Sequence, residues 1–300
     1  MKVIKRTKED LIFDVIVYTV LSLLFVIVAY PLYFILIASI SDPIAVSNGE
    51  TLLYPARITL EGYQRILADN RIWSGYLNTI IYTIIGTCIN VTITMMIAYP
   101  LSRKGFSGRN VIMVFLMITM YFSGGIIPQY LLVKSLGLIN NWLVIVILGA
   151  VSVYNIIIAR SFLEANIPDE LLEAASIDGC SQLKFFFTMV IPLSKAIIAV
   201  LALYYGVAHW NDFMKALIYL KDESLHPLQL ILRSILIQSQ MSAEMSQNMS
   251  MDVELAAQIE RTKELIKYGV IIISSLPVLI IYPFMQKYFV KGVMIGSIKG

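Results

Sequence analysis

The sequence predicts an all-α polytopic membrane protein with six transmembrane helices, and three observations predict it. Of 300 residues, 58% are apolar and 14% charged, with a mean hydropathy of +0.77; a soluble chain carries roughly 45–50% apolar and about 25% charged residues. Five charge-free runs are long enough to cross a hydrocarbon layer, which takes about 20 apolar residues in a helix. The lysines and arginines gather in alternate connections. This composition excludes a soluble enzyme, a disordered chain, a coiled coil and a disulfide-stapled secreted domain. The net charge of +3 and pI of about 8.7 are too mild to point to nucleic acid.

The first span is expected over 15–40, inside the run between Asp14 and Asp42. It is too long for a signal-peptide core and no small-residue cleavage site follows, so it reads as a retained anchor behind a short N-terminal segment, 1–14. Further runs lie between Arg71 and Arg103, Arg109 and Lys134, Lys134 and Arg160, and Lys267 and Lys287. One more span, fifth along the chain, follows Lys195, where the clean run to Asp212 is 16 residues, about 24 Å of helix. It reaches full length if Lys195 snorkels at one end and Asp212 and Lys215 are tolerated near the other. Residues 72–287 thus hold a core of five spans, followed by a tail, 288–300.

Orientation follows the cations. Lys2, Lys5, Arg6 and Lys8 precede the first span, Arg103, Lys104 and Arg109 fill the second connection, and Lys287, Lys291 and Lys299 follow the last span. Both termini are therefore expected to be cytoplasmic, together with the loop 163–195, while 41–72 and 221–265 face outside. No inverted repeat is visible. Cys88 lies in an apolar run and Cys180 in a polar loop, with no partner at motif spacing, so neither a disulfide nor zinc is expected. His209 and His226 are the only histidines and have no ligand companions, so no metal site is expected. The phosphate-cradling G-x-x-x-x-G-K-[ST] does not occur, which excludes ATP hydrolysis by this chain.

The loop 163–195 reads as two punctuated helices. Pro168 suits a first helical position, Asp169 and Glu170 complement the helix N-terminus, and Gly179 supplies a left-handed stop, giving a first helix of about 168–178. Ser181 caps a second that stops at Pro192. Glu164, Asp169, Glu170, Glu173 and Asp178 stand against Lys184 and Lys195, so the segment is net acidic. Two readings follow: a helix that docks its small Ala174-Ala175 patch into a basic groove of another protein, or an amphipathic connector on the headgroups. Anionic lipid repels an acidic helix, which weighs against the second.

The spacing of these residues resembles a known family. Glu173-Ala174-Ala175, three residues, Gly179, nine residues, Met189, one residue, then Ile191-Pro192 is similar to the EAA loop of permease subunits of binding-protein-dependent ABC importers, with Met189 and Ile191 where the family usually has Ile and Leu. Trp210-Asn211-Asp212-Phe213, Tyr121-Phe122-Ser123-Gly124-Gly125 and the tail from Gln286-Lys287-Tyr288-Phe289 to Gly300 resemble the sugar-importing branch, which includes the shorter permease of the maltose transporter. The resemblance covers nearly the whole chain and is weakest over the first forty residues and the outer loops.

It implies a type I ABC importer permease fold in a bacterial cytoplasmic membrane, and a non-catalytic subunit forming half of an oligosaccharide pathway. The implied partners are a second homologous permease in a heterodimer, two cytoplasmic ATPases and an extracytoplasmic sugar-binding protein. ATP and Mg would be bound by the ATPase and no cofactor by this chain. By position, Glu173 would pair with a basic ATPase residue, Ala174 and Ala175 would permit close packing, Gly179 would turn between the two short helices, and Asp178 and Pro192 would bound them. The tail would approach the same interface.

Tyr204, Tyr205, His209, Trp210, Asn211 and Asp212 form a polar and aromatic run in the fifth span. Such residues line an aqueous sugar path or pack against a partner permease near the outer interface. Asp212 and Lys215, at i,i+3, can satisfy each other on one helix face. Asn78, Asn90 and Asn155 read as bridges between helices. The Met- and Gln-rich stretch of 238–251 is either an adaptable docking surface or a mobile loop leading into a helical extension of the last span. Gly292 and Gly296 lie in the tail and read as flexibility. Two other classes stay open: a secondary transporter, marked by ion-gradient dependence of uptake without ATP, and a membrane-embedded enzyme, marked by turnover of the isolated chain.

Overall fold

The computed structural model describes residues 8–248 and 253–296. The chain divides into two compact units, one from residues up to Asp69 with Ser234–Ser275, the other from Asn70–Arg233 with Leu276 onward. Regular structure among the described residues is helical.

In the first unit, the helix Lys8–Ser39 is apolar all round and only its last turn, Ile37, Ala38 and Ser39, is buried. A soluble protein would hide such a surface; here lipid or protein neighbours must cover it. The helix begins within the expected N-terminal segment 1–14. The connection that follows is pinned rather than loose. Asp42 caps the short helix Pro43–Ser47 by accepting from Ile44 N at 3.0 Å, and Arg261 bonds Asp42 and Glu61 at 3.3 and 3.1 Å. Gly62 lies so close to Leu265 that a Cβ would approach its carbonyl oxygen to 2.8 Å.

The second unit is organised around the unbroken 33-residue helix Asn70–Ser102. It packs chiefly against Val153–Asn166 and Lys195–Asn211. Ala98 and Ala159 are fully buried between neighbours, small residues that let helices approach where lipid offers no hydrophobic drive to associate. Met95, Leu101, Ile156, Leu163, Ile197 and Leu201 complete this core. A second cluster joins Tyr82, Val144, Ala216 and Tyr219, with Tyr130 stacked on Tyr219 at 6.0 Å.

Among the described residues, three helices are long and apolar enough to span a membrane: Lys8–Ser39, Asn70–Ser102, and Arg261–Pro283 within the longer Val253–Gly296. Two bent pairs raise the count to five if each is one span: Arg109–Tyr121 with Ile126–Ser135, at 110°, and Gln182–Leu193 with Lys195–Asn211, at 80°. The third charge-free run is thus a bent pair of helices rather than one continuous helix. Phe122 is extended, Gly125 has φ of 84°, and a new helix starts at Ile126 with Pro128 in its first turn. The fourth charge-free run is likewise divided, into Leu143–Ile147 and Val153–Asn166. Gly149 at φ 80° ends the first piece, and Ser152 caps the second by accepting from Asn155 N at 3.4 Å. In the expected outer loop 221–265, Leu228–Asn248 is a helix and a second begins at Val253. Residues 249–251 of the Met-rich stretch and residue 252 after it lie outside the described residues, as do 297–300 of the tail. Gly292, expected in a flexible tail, falls inside the helix that runs to Gly296.

Candidate functional site

The loop 163–195 folds as two helices on a firm base. Pro168 sits at the N-cap in an extended conformation, one residue before the place expected for it, and the first helix is Asp169–Ile177. Its end is a Schellman turn: Cys180 N donates to Ala175 O at 2.9 Å and Gly179 N to Ser176 O at 3.0 Å. Asp178 is the C-cap and Gly179 takes φ of 75°, a conformation that costs any residue with a Cβ. Ser181 caps the second helix, accepting from Lys184 N at 3.3 Å. That helix opens into a π turn at Phe186–Val190 and closes with Ile191–Leu193. It therefore passes Pro192 by one residue, because the widened turn has already removed the i−4 bond that a proline disrupts.

One face of this unit is held and the other is bare. Ala175 is buried in the core with Phe185 and Phe186, and Leu171 and Leu172 pack against it. Glu173, Ala174 and Asp178 are exposed, and Ile177 is 87% and Leu183 70% exposed. The acidic residues divide in the same way. Glu164 is paired with Arg160 at 2.9 Å and faces Arg109 at 3.8 Å. Asp169 is paired with Arg103 at 3.2 Å. Among the described residues, Glu170, Glu173 and Asp178 have no ion pair.

Two residues with structural roles here were not legible as site residues. Arg103, read in the sequence only as a topology charge, has a side chain 8% exposed. It also donates to Ser102 Oγ at 3.1 Å and Leu163 O at 3.4 Å and lies over the Tyr99 ring at 5.5 Å. Tyr99 Oη in turn donates to Gln182 Oε1 at 3.0 Å. Their i,i+4 spacing, which would put both on one face of a continuing helix, is the signal in the sequence, although the helix itself ends at Ser102. A cleft of about 710 Å³ opens beside them, with Lys104, Phe106 and Glu173 on its wall.

The polar run of the fifth span is split by its helix. Tyr205 and His209, one turn apart, face Asn70–Ser102: Tyr205 Oη lies 2.7 Å from Thr94 Oγ1 and accepts from Ser152 N at 3.2 Å. The Asn90 amide donates to His209 Nε2 at 3.1 Å. Gly86 makes room for the imidazole, which a Cβ there would overlap. Trp210 is buried near Tyr76, with ring centroids 6.2 Å apart. Tyr204, Ala208 and Asn211 form the opposite, exposed stripe, and Asn211 donates back to Val207 O at 2.9 Å. Asp212 and Lys215 do pair, at 2.8 Å, but not on one helix. The helix ends at Asn211, Asp212 is extended, and its Oδ1 accepts from Lys215 N at the start of Met214–Tyr219. Of the three asparagines, Asn90 bridges helices, Asn78 holds the carbonyls of Ser224 and His226 at 2.7 and 3.1 Å, and Asn155 is buried in the first turn of its own helix.

A model of the family described as binding-protein-dependent transport system inner membrane component matches residues 66–295. The polygalacturonan/rhamnogalacturonan transport system permease protein YtcP of Bacillus subtilis (strain 168) is 37% identical over 97% of this chain and 100% of its own length. Protein LplC of the same organism is 36% identical over 98% of this chain and 97% of its own. The crystal structure of a bacterial ABC transporter involved in the import of the acidic polysaccharide alginate contains a chain that superimposes with a TM-score of 0.81 at 31% identity, covering 95% of this chain and 99% of that one. The fold, the two-helix loop and these full-length similarities agree: the chain belongs to the binding-protein-dependent transport system inner membrane components, the membrane-embedded permeases of ABC importers.

Proposed function

We propose that this chain forms half of the translocation pathway of an ATP-driven importer of oligosaccharides and couples it, through the loop 163–195, to a cytoplasmic ATPase. It works beside a second permease, two ATPase subunits and an extracytoplasmic binding protein, with both termini in the cytoplasm. ATP and Mg belong to the ATPase, and this chain contributes no catalytic group. The relatives named for polygalacturonan/rhamnogalacturonan and for alginate make uronate-containing oligosaccharides the first substrates to test.

The observation that carries the coupling role is the unpaired acidic and apolar face of Asp169–Ile177. Glu170, Glu173 and Asp178 are presented to solvent without an ion pair among the described residues, next to the exposed Ile177. Leaving Ile177 bare gives up burial free energy that a partner surface recovers. Glu173 supplies a carboxylate for a basic residue of the ATPase, and the exposed Ala174 lets the two surfaces close. For the pathway, the exposed stripe of Tyr204 and Asn211 offers an aromatic face and an amide to a sugar. Tyr205, His209 and Trp210 support that helix from behind, and Asp212 shapes its end.

Affinity isolation of this chain from gently solubilised membranes, with mass spectrometry of its companions and of any retained glycan, tests the assembly. A second permease, an ATPase and a binding protein are expected; a stable homo-oligomer without an ATPase would overturn the reading. Within the isolated complex, Glu173→Ala is expected to abolish stimulation of ATP turnover by the loaded binding protein while the chain stays folded and assembled. Intact stimulation would count against the role given to Glu173.

A further inference from the structure

The loop 163–195 leaves the membrane helices by two weak links. At its entry, Val153–Asn166 stops, Ile167 is extended, and Pro168 follows before the next helix starts. At its exit stand the π turn, Pro192 and an 80° bend into Lys195–Asn211. Ser194, at that bend, is buried with its hydroxyl unpartnered among the described residues. Backbone continuity is therefore a poor route for a displacement of Asp169–Ile177 to reach the membrane, because each link can absorb it as a change in a few dihedrals.

A stiffer route runs through side chains to one turn of the unbroken helix Asn70–Ser102. Arg103, just past its end, takes the first loop helix at Asp169 and the neighbouring carbonyl of Leu163. Tyr99 takes the second loop helix at Gln182. The two grips brace each other, since the guanidinium lies over the phenol ring. Farther along the same helix, Asn90 and Thr94 hold His209 and Tyr205, on the helix whose other face presents Tyr204 and Asn211. A buried guanidinium with a carboxylate and a carbonyl to satisfy has few alternative arrangements, which is what a rigid joint requires.

We propose that Arg103 and Tyr99 are positioning residues that lock the coupling loop to Asn70–Ser102, so that loop and helix move as one body when the ATPase closes. This rests on the coupling role proposed for the loop. The unbroken helix is then the lever, and its second pair of contacts, at Asn90 and Thr94, carries the motion to the helix facing the sugar path.

The test uses the assembled importer in lipid nanodiscs, with the native thiols removed (Cys88→Ala, Cys180→Ala) and spin labels on Ile177→Cys in the loop and Leu77→Cys near the far end of the long helix. Pulsed EPR distances are recorded without nucleotide and with vanadate-trapped Mg-ATP. One narrow distance, the same in both states, is expected. In Asp169→Asn/Tyr99→Phe complexes of unchanged subunit composition, that single distance is expected to be lost on trapping, and stimulation of ATP turnover by the loaded binding protein to fall with it. Asp169→Glu, which keeps the charge, should restore it. A merely structural role would lower the yield of complex and leave the distance the same in both nucleotide states.

A distance that changes with nucleotide in the unaltered chain would overturn the proposal, as would a narrow, unchanged distance in the double variant. Failure of the coupling reading is seen separately, as failure of Ile177→Cys to cross-link to the co-purified ATPase.

Discussion

Asn70–Ser102 and the stretch Arg109–Ser135 are both apolar, and both contain glycine, yet one runs 33 residues without a break and the other turns through 110°. The difference lies in what each glycine faces. Gly75 and Gly86 are helical, and their missing side chains make room for Ile231 and His209. Gly125 has a positive φ with nothing near its absent Cβ, as do Gly108 and Gly179 in the connections. The same residue thus serves close approach on the lever and a change of direction elsewhere. A glycine flanked by apolar residues signals either, and only the partner across the interface decides.

That comparison breaks most sharply at Gly86. Alanine is a better helix former by about 1 kcal/mol, so on an isolated helix Gly86→Ala would stabilise. Here the added methyl overlaps the His209 ring, and overpacking costs about 1–3 kcal/mol. A net loss of up to about 2 kcal/mol is expected, read as a lowered Tm of the detergent-solubilised complex, and Gly86→Ala/His209→Ala should recover part of it. Recovery of nothing would mean that His209 is not what Gly86 accommodates.

Tyr205→Phe comes next. It removes the hydroxyl that meets Thr94 Oγ1 and accepts from Ser152 N, leaving polar groups without a partner where water is scarce. A loss of about 1–2 kcal/mol is expected, with Thr94→Val alone costing less and the pair of substitutions less than additive. Additivity would show that the two hydroxyls do not interact.

Gly179 sharpens the contrast from the other side. No atom lies within 4 Å of a Cβ built there, but φ is 75°, so Gly179→Ala costs only the left-handed backbone, about 1 kcal/mol. Asn, which tolerates that region, should cost less than Ala, and Val more. If Ala and Asn behave alike, the turn is not held in its Schellman form in the assembled importer.

The sequence carried much of this because membrane burial writes itself in long charge-free runs. The helices Lys8–Ser39 and Asn70–Ser102 fall where those runs lie, and the punctuation of the 163–195 loop, from Pro168 to Gly179 and Ser181, is local chemistry that the chain obeys. Charge counting is blind to breaks, however. The pair Gly124-Gly125 followed by Pro128, and Gly149 followed by the capping Ser152, divide runs that look continuous by hydropathy. Nor does local pattern distinguish Tyr204 from Tyr205 or assign Asp169 to Arg103, a pairing across 66 positions. Those facts belong to the way helices face one another, and one chain's periodicity does not contain them.

Asn211 is where the smallest structural effect and a functional one should separate. Its side chain is exposed and donates back to Val207 O of its own helix, so Asn211→Ala should change stability by no more than about 0.5 kcal/mol. Its neighbour His209, two residues earlier, is buried against Asn90 and should show the reverse balance. If the stripe of Tyr204 and Asn211 faces the sugar, Asn211→Ala lowers uptake of trigalacturonate by reconstituted importer at unchanged Tm, while His209→Ala lowers Tm first. Equal effects of Asn211→Ala on both, or on neither, would move the path away from this face, because a side chain that meets only lipid or a partner helix has no reason to affect transport alone.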